Sequence, residues 1–201
     1  MRHNRSHAPR AQRGVTLVIV LMLLVVVTLL GVGAARMAML AERSARNDRD
    51  YQVAWQAAEA ALMDAQFDIR GPNASPAGRM GIFTQDNTSV FQPGCNTTEP
   101  YLGLCQPAVE GAKPVWASVD FLDGSGTTVE YGTYTGRTFD SGGTGVKPEH
   151  APRYMIEWVP DSTPGGSAAS GSKPIIYRVT SMGFGPREDV QVVMQMAFKK
   201  E

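Results

Sequence analysis

An uncharged apolar segment near the N-terminus places the strongest constraint on this chain. It runs for 21 residues, from Val15 to Ala35, and lies between Arg13 and Arg36. A helix of that length rises about 31 Å, which is enough to cross the hydrocarbon core of a bilayer. The segment therefore predicts a membrane-spanning helix.

The charges that precede this segment predict its orientation. Four arginines and no acidic residue occur in the first 14 residues, namely Arg2, Arg5, Arg10 and Arg13. Basic flanks stay on the cytoplasmic side, so the remainder of the chain is expected on the opposite side of the membrane. Without these four arginines, 15 basic residues remain against 19 acidic ones. The segments beyond the leader therefore give no indication of nucleic-acid binding.

A cleaved secretory signal peptide is the first alternative for the apolar segment. Gly33, Ala34 and Ala35 are small residues of the kind found at its cleavage site. The apolar core of a signal peptide spans only about 7 to 15 residues, however, and the present segment is longer. It is also followed by helix-forming sequence, which favours a helix that is retained.

The helix is expected to continue well beyond the apolar segment. Residues 36–70 contain no proline or glycine, and Gly71-Pro72 then supplies a stop signal. Apolar residues recur at the spacing of one buried helical face: Tyr51, Ala54, Ala58, Ala61, Leu62, Ala65 and Ile69. The sequence thus predicts one helix from Val15 to Ile69, apolar in its first part and amphipathic in its second.

The remainder of the chain shows strand and turn patterns. Five β-rich segments, separated by turn residues or loops, occur at residues 115–122, 127–135, 153–159, 174–181 and 190–198. The first two predict a hairpin with its turn at residues 123–126. Glycine-rich loops are expected at residues 136–145 and 163–172. The predicted fold class is α+β, a long N-terminal helix packed on an antiparallel β-meander.

The only two cysteines, Cys95 and Cys105, are separated by nine residues. An isolated pair in an extracytoplasmic compartment predicts a disulfide. Two buried free thiols are the alternative. The loop from Gly94 to Gln106 is expected to be an exposed surface between helix and sheet.

Residues for catalysis or for metal binding are few. His3 and His7 lie in the leader and His150 stands alone, so neither a His-based triad nor a zinc site can be assembled. Asp120 and Asp123 flank a glycine turn, but further acidic ligands for calcium are missing. No enzymatic activity, metal or cofactor is predicted.

The junction Arg13-Gly14-Val15-Thr16-Leu17 resembles the processing site of type IV pilins and pseudopilins. In that superfamily a prepilin peptidase cuts after the glycine and methylates the new N-terminus. The resemblance implies cleavage between Gly14 and Val15. The usual first mature residue is Phe, so Val15 is a mild departure.

A second departure narrows the resemblance. The fifth mature residue of most pilins is Glu, and here it is Ile19. A carboxylate in hydrocarbon needs a partner, and in the superfamily that partner is thought to be the N-terminal amine of the subunit above. A subunit with nothing above it does not need this Glu. The subgroups that lack it are the PilX-type minor pilins and the K-type pseudopilins of type II secretion, both placed at or near the filament tip. The alternative is that Ile19 is an ordinary lipid-facing residue.

Two further stretches resemble PilX-type minor pilins. On the helix these are Glu42, Arg43, Asn47, Asp50, Ala58 and Glu59. Alanines in this stretch permit close helix packing, and its charged residues can form intrahelical pairs or contact neighbouring subunits. A solvated charged face is the alternative. Residues 174–198, with Tyr177-Arg-Val-Thr followed by Val190-Gln-Val-Val, resemble the closing hairpin.

The resemblance implies a minor pilin at the tip of a type IV pilus in a Gram-negative bacterium. It divides the chain into a leader (1–14), a membrane or filament-core helix (15–35), an amphipathic helix (36–70) and a periplasmic domain (71–201). The implied partners are other minor pilins, the major pilin, a pilus-tip adhesin, prepilin peptidase and the inner membrane. Such a subunit would support assembly, motility, attachment and DNA uptake.

Two alternatives to this function stay open. A K-type pseudopilin usually contains a large helical insertion with metal sites, for which the chain has no room. A membrane-anchored extracytoplasmic sensor or binding domain would keep its leader uncut. A sensor usually also needs a cytoplasmic output domain, which 14 residues cannot supply.

Overall fold

A computed structural model describes residues 14–73, 75–122, 126–139, 145–161 and 174–200. The chain divides into two compact units, Met1–Asn47 and Asp48–Glu201. The described residues leave out 1–13 of the predicted leader, 123–125 of the predicted 123–126 turn, 140–144 of the loop expected at 136–145, and the whole loop expected at 163–172.

Helix α1 extends from Val15 to Arg70 without a break. It ends as predicted at Gly71, whose φ is +77° and whose N–H donates to the Phe67 carbonyl at 2.7 Å. Glycine is favoured there because a Cβ atom is strained at positive φ. The single long helix expected from the sequence is confirmed.

The part of α1 that lies in the first unit has almost every side chain exposed. By length and composition alone, the apolar segment is sufficient to cross a membrane. Its Thr28 hydroxyl donates to the Val25 carbonyl at 2.8 Å. Thr16 and Thr28 are the only residues between Val15 and Ala35 with polar side chains. The Thr28 side chain therefore has a hydrogen-bond partner within the helix itself.

The second unit contains a five-stranded sheet. Its strands are β1 (Leu104–Cys105), β2 (Val129–Glu130), β3 (Arg153–Pro160), β4 (Ile175–Phe184) and β5 (Gln191–Phe198). The strand order is β1-β3-β4-β5, and the short strand β2 also pairs with β3. Strands β3, β4 and β5 form an antiparallel meander, in which Val179 lies opposite Ile156 on one side and Met196 on the other.

The three strands of the meander are the last three that the sequence predicts. Strand β4 is longer than expected, because Gly183 and Phe184, which lie beyond the predicted segment 174–181, pair with Val192 and Gln191. The turn follows at Gly185, whose N–H donates to the Val190 carbonyl at 2.7 Å.

The hairpin predicted for residues 115–135 is wrong. Val115–Ala117 is a short 3-10 helix, and the Asp120 carboxylate accepts a hydrogen bond from the Leu122 N–H at 2.9 Å. Such local bonds compete with strand pairing. In the second segment only β2 is a strand, and it pairs with β3 instead.

Strand β1 makes the sheet mixed, because it runs parallel to β3. The Ile156 N–H donates to the Gly103 carbonyl at 2.9 Å, which starts this pairing. A two-residue strand is too short to show a period of two in the sequence. This is why the sequence predicts a purely antiparallel arrangement.

The second half of α1 packs on the sheet and forms the core. Leu62, Ala65 and Ile69 lie in one cluster with Tyr177 and Val179 of β4. Tyr51, predicted in the same buried stripe, is instead 47% exposed and contacts the Trp55 ring. The stripe is centred on alanines because the sheet approaches the helix too closely there for a large side chain.

Candidate functional site

The predicted processing junction begins the described part of the chain. Gly14 lies in a turn immediately before α1, and among the described residues no atom beyond its chain neighbours lies within 4 Å of the point that a Cβ would occupy on it. Val15 is the first helical residue. Ile19 lies one turn further along α1 and is 52% exposed. The junction is thus a glycine followed directly by an apolar helix.

The six helix residues that resemble the family motif do not lie on one surface. In the first unit Glu42, Arg43 and Asn47 are exposed, and the Glu42 carboxylate pairs with Arg46 one turn later at 2.5 Å. The predicted intrahelical pairing is therefore found for Glu42. An exposed pair of this type contributes only about 0.3–0.5 kcal/mol.

In the second unit two of the three motif residues are buried and one is exposed. Asp50 and Ala58 are buried, and Asp50 lies 3.7 Å from the Arg187 guanidinium in the turn between β4 and β5. Glu59 is exposed and accepts a hydrogen bond from the Trp55 indole N–H at 3.0 Å. The Asp50 carboxylate thus connects the helix to the closing hairpin of its own chain.

The alanines of α1 give the closest helix–sheet approach in the molecule's second unit. A Cβ on Gly183 of β4 would lie 2.1 Å from the Ala54 carbonyl oxygen and 2.2 Å from the Ala58 nitrogen. The Ser181 hydroxyl donates to the Ala58 carbonyl at 2.9 Å. Sequence reasoning identified the alanines as a packing seam but missed Gly183 as their partner. A glycine inside an otherwise apolar strand is the signal for such an approach.

A buried ion pair fastens the end of α1 to the loop that follows it. Asp68 and Arg79 pair at 2.7 Å with their side chains 0% and 1% exposed. The Arg79 guanidinium also donates to the carbonyls of Pro100 and Leu102 at 2.8 and 2.7 Å. The Tyr154 hydroxyl of β3 donates to Asp68 at 3.0 Å. One carboxylate therefore connects the helix, the disulfide-containing loop and the sheet.

A second buried carboxylate, Asp64, lies one helical turn before Asp68. It accepts hydrogen bonds from the Gly132 N–H at 2.8 Å and from the Thr135 hydroxyl. This pair of contacts holds the turn that follows β2. Both aspartates interrupt the apolar stripe of the sequence, and that interruption is the signal by which they could have been found.

Burial shifts the pKa values of Asp64 and Tyr154. It raises the pKa of Asp64, against the effect of its hydrogen bonds from Gly132 and Thr135. The folded state therefore holds this proton more tightly than the unfolded state, so the contribution of Asp64 to stability is greatest at low pH. That contribution declines as the pH rises through the folded-state pKa. Burial also raises the pKa of Tyr154 well above its ordinary value, which keeps its hydroxyl a donor to Asp68.

The predicted disulfide joins Cys95 to Cys105. The loop between them is less exposed than expected, because Cys95, Asn96 and Leu104 are buried and Leu104–Cys105 is strand β1. Residues 97–100 are its exposed part. Here the Glu99 carboxylate accepts a hydrogen bond from the Tyr134 hydroxyl at 2.5 Å.

Replacing both cysteines by serine is expected to lower the free energy of unfolding by about 2–3 kcal/mol, because the disulfide restricts the unfolded chain. Urea unfolding of the full chain in detergent, followed by tyrosine and tryptophan fluorescence, measures this loss. A reducing agent should destabilise the parent chain similarly and leave the serine variant unchanged. Equal stability of variant and parent would contradict this role.

In the described parts of the chain, no group of three or more His, Cys, Asp or Glu side chains could hold a metal ion. Asp120, considered above for calcium, is exposed and bonds to the backbone of its own turn. His150 contacts the Phe184 ring edge-on, with ring centroids 5.5 Å apart.

Two family models match parts of the chain. Residues 13–62 match the PilX N-terminal family model, and residues 101–200 match the model of the type IV pilus assembly protein PilX C-terminal region. The second match begins well before residue 174, the first residue of the closing hairpin whose sequence resembles PilX-type minor pilins. No curated protein and no solved structure matches the chain. The two family matches together cover most of the chain, which therefore belongs to the PilX-type minor pilins of the type IV pilus.

Proposed function

We propose that the chain is cleaved after Gly14 and takes part in the priming complex at the tip of the pilus. The observation that carries this proposal is Ile19, an uncharged and exposed side chain one turn into α1. A buried carboxylate at this position would require a positive partner from a subunit above. Ile19 needs none, which suits a subunit with nothing above it.

The apolar part of α1 supports the first step of this function. Before assembly, residues 15–35 would hold the subunit in the inner membrane, with residues 71–201 in the periplasm. In the pilus the same apolar surface would pack against the helices of other minor pilins and of the major pilin. The transfer replaces lipid by protein around an apolar helix and exposes no charge between Val15 and Ala35.

The second unit supports the next step. Close packing at Gly183 and the hydrogen bond from Tyr154 to Asp68 hold the sheet on residues 48–70 of α1, so the sheet keeps a fixed position on that helix segment. A rigid surface of this kind can present a tip adhesin or contact another minor subunit. Promotion of assembly would in turn support motility, attachment and DNA uptake by the bacterium.

Introducing glutamate at Ile19 tests the tip position. We expect Ile19→Glu to be processed normally but to reduce the number of surface pili severely, because its carboxylate would lie unpaired in an apolar environment at a cost of about 2.5–3.5 kcal/mol. Pili are counted by electron microscopy in cells whose only copy is the variant. Ile19→Leu is the matched control and should assemble normally. Normal piliation by Ile19→Glu would contradict the tip position.

A further inference from the structure

Strand β5 lies at one edge of the sheet. It pairs with β4 along its whole length, from Gln191 opposite Phe184 to Phe198 opposite Tyr177. Within the part of the chain that the structure describes, no strand pairs with its other side. The outer edge of β5 is therefore open to a further strand.

The hydrogen-bond pattern shows which residues form this open edge. The Gly185 N–H donates to the Val190 carbonyl directly opposite it, and residues in antiparallel strands alternate between bonded and non-bonded pairs. The N–H and C=O groups that face β4 are accordingly those of Val192, Met194, Met196 and Phe198. The backbone groups that face outward belong to the alternate residues Gln191, Val193, Gln195 and Ala197.

The composition of β5 does nothing to block pairing. Its sequence, Gln191-Val-Val-Met-Gln-Met-Ala-Phe198, contains no charge, no proline and no glycine. Edge strands of natural proteins usually carry a lysine, a proline or a bulge, which prevents uncontrolled association. An unprotected eight-residue edge with high β-propensity would make a free protein prone to aggregation. The unprotected edge of β5 therefore favours a specific partner strand that pairs with it.

The side chains of β5 indicate what that partner strand must supply. On the face toward α1, Val192 is buried, whereas Met194, Met196 and Phe198 are only partly buried. These three pack against the core cluster that contains Leu62. A strand added beside β5 would extend this apolar row if its own alternate residues were apolar. Its opposite face would lie beside Gln191, Val193, Gln195 and Ala197, which are exposed.

We propose that β5 accepts an extended strand from a different subunit of the pilus, which becomes the next strand of the sheet. The partner segment has about eight uncharged residues, apolar at alternate positions, and binds through backbone hydrogen bonds to Val193, Gln195 and their outward-facing neighbours. This inference rests on the proposed function, since it names the contact by which the second unit joins its neighbours.

Proline substitution on the outer edge tests this contact. Val193→Pro/Ala197→Pro removes two outward N–H donors and leaves the bonds to β4 in place, because proline is tolerated on the free side of an edge strand. Val193→Thr/Ala197→Ser is the matched control, which keeps both donors. Each full-length variant is produced in cells that lack the natural copy. Its N-terminal mass, its thermal unfolding in detergent and its amount in sheared filaments are measured.

We expect the proline variant to be processed and folded but recovered in filaments at least about tenfold less than the threonine/serine control, because two backbone hydrogen bonds to the partner strand are lost. Equal recovery of the two variants, both correctly processed, would overturn the proposal and leave the proposed function standing. Absence of processing in the parent chain would instead remove the proposed function.

Amide hydrogen exchange gives a test that does not depend on the proline variant folding. It compares the parent full-length chain alone in detergent with the same chain co-purified with other pilus subunits. The proposal expects slower exchange at Gln191, Val193, Gln195 and Ala197 in the complex. Unchanged exchange at these amides would overturn it. A Gln195→Cys variant gives a further check. If it formed a disulfide-linked dimer in filaments, the added strand would come from a second copy of this chain, and the proposal of a different subunit would be overturned.

Discussion

Gly183→Ala should be among the most destabilising single substitutions in the second unit. The new methyl group would lie 2.1 Å from the Ala54 carbonyl oxygen and 2.2 Å from the Ala58 nitrogen. Both are backbone atoms of a regular helix, so neither can move aside as the end of a flexible side chain could. Relief requires separation of β4 from α1, which also breaks the hydrogen bond from Ser181 to Ala58. We expect a loss of about 3 kcal/mol or more in the free energy of unfolding.

Urea unfolding of the full chain in detergent measures this loss. Gly81→Ala is the matched control, because nothing lies within 4 Å of the position of its Cβ and the residue is exposed. It should change the unfolding free energy by less than about 0.5 kcal/mol. A Gly183→Ala protein as stable as the control would show that β4 does not approach the helix backbone as described.

Removal of the Arg79 guanidinium is expected to have the second large effect. Arg79→Met leaves the Asp68 carboxylate, which is 0% exposed, without its positive partner. It also leaves the Pro100 and Leu102 carbonyls without the donor that they share. Breaking a buried pair on one side costs about 3–5 kcal/mol, because an uncompensated charge stays buried. We therefore expect a loss of this size in the free energy of unfolding.

The exposed pair between Arg46 and Glu42 provides the control for this experiment. Arg46→Met removes a guanidinium that is 68% exposed, so its cost should be at most about 0.5 kcal/mol. The double variant Asp68→Leu/Arg79→Met should be more stable than Arg79→Met, since no charge is then stranded. If Arg79→Met were no more destabilising than Arg46→Met, the buried pair would not fasten the loop to the helix.

The sequence predicts the parts of the fold that depend on a regular period. The helix from Val15, its stop at Gly71 and the three strands of the meander all follow from apolar spacing and turn residues. The segment from 115 to 135 does not, because local hydrogen bonds such as that of Asp120 outweigh its β-propensity. The two-residue strand β1 is positioned by its pairing with β3, which a local pattern cannot reveal.

The candidate site was predictable to a similar degree. Residue identity alone indicates the pairing of the two cysteines, and cleavage after Gly14 stays a prediction. Residue identity does not indicate that Asp50 pairs with Arg187, or that Asp68 pairs with Arg79, 11 residues further along the chain. Both pairings form only when later segments of the chain pack against α1. They are therefore tertiary contacts, and no local sequence pattern indicates them.

The N-terminal mass of the mature protein, recovered from membranes and from sheared filaments, tests the central claim most directly. Our account predicts a chain that begins at methylated Val15 in both fractions. Gly14→Asp should retain the 14-residue leader and be absent from filaments, whereas Gly31→Ala, a glycine substitution inside the apolar helix, should be processed like the parent. A parent chain that still begins at Met1, or one that begins after Ala35, would contradict the pilin pathway.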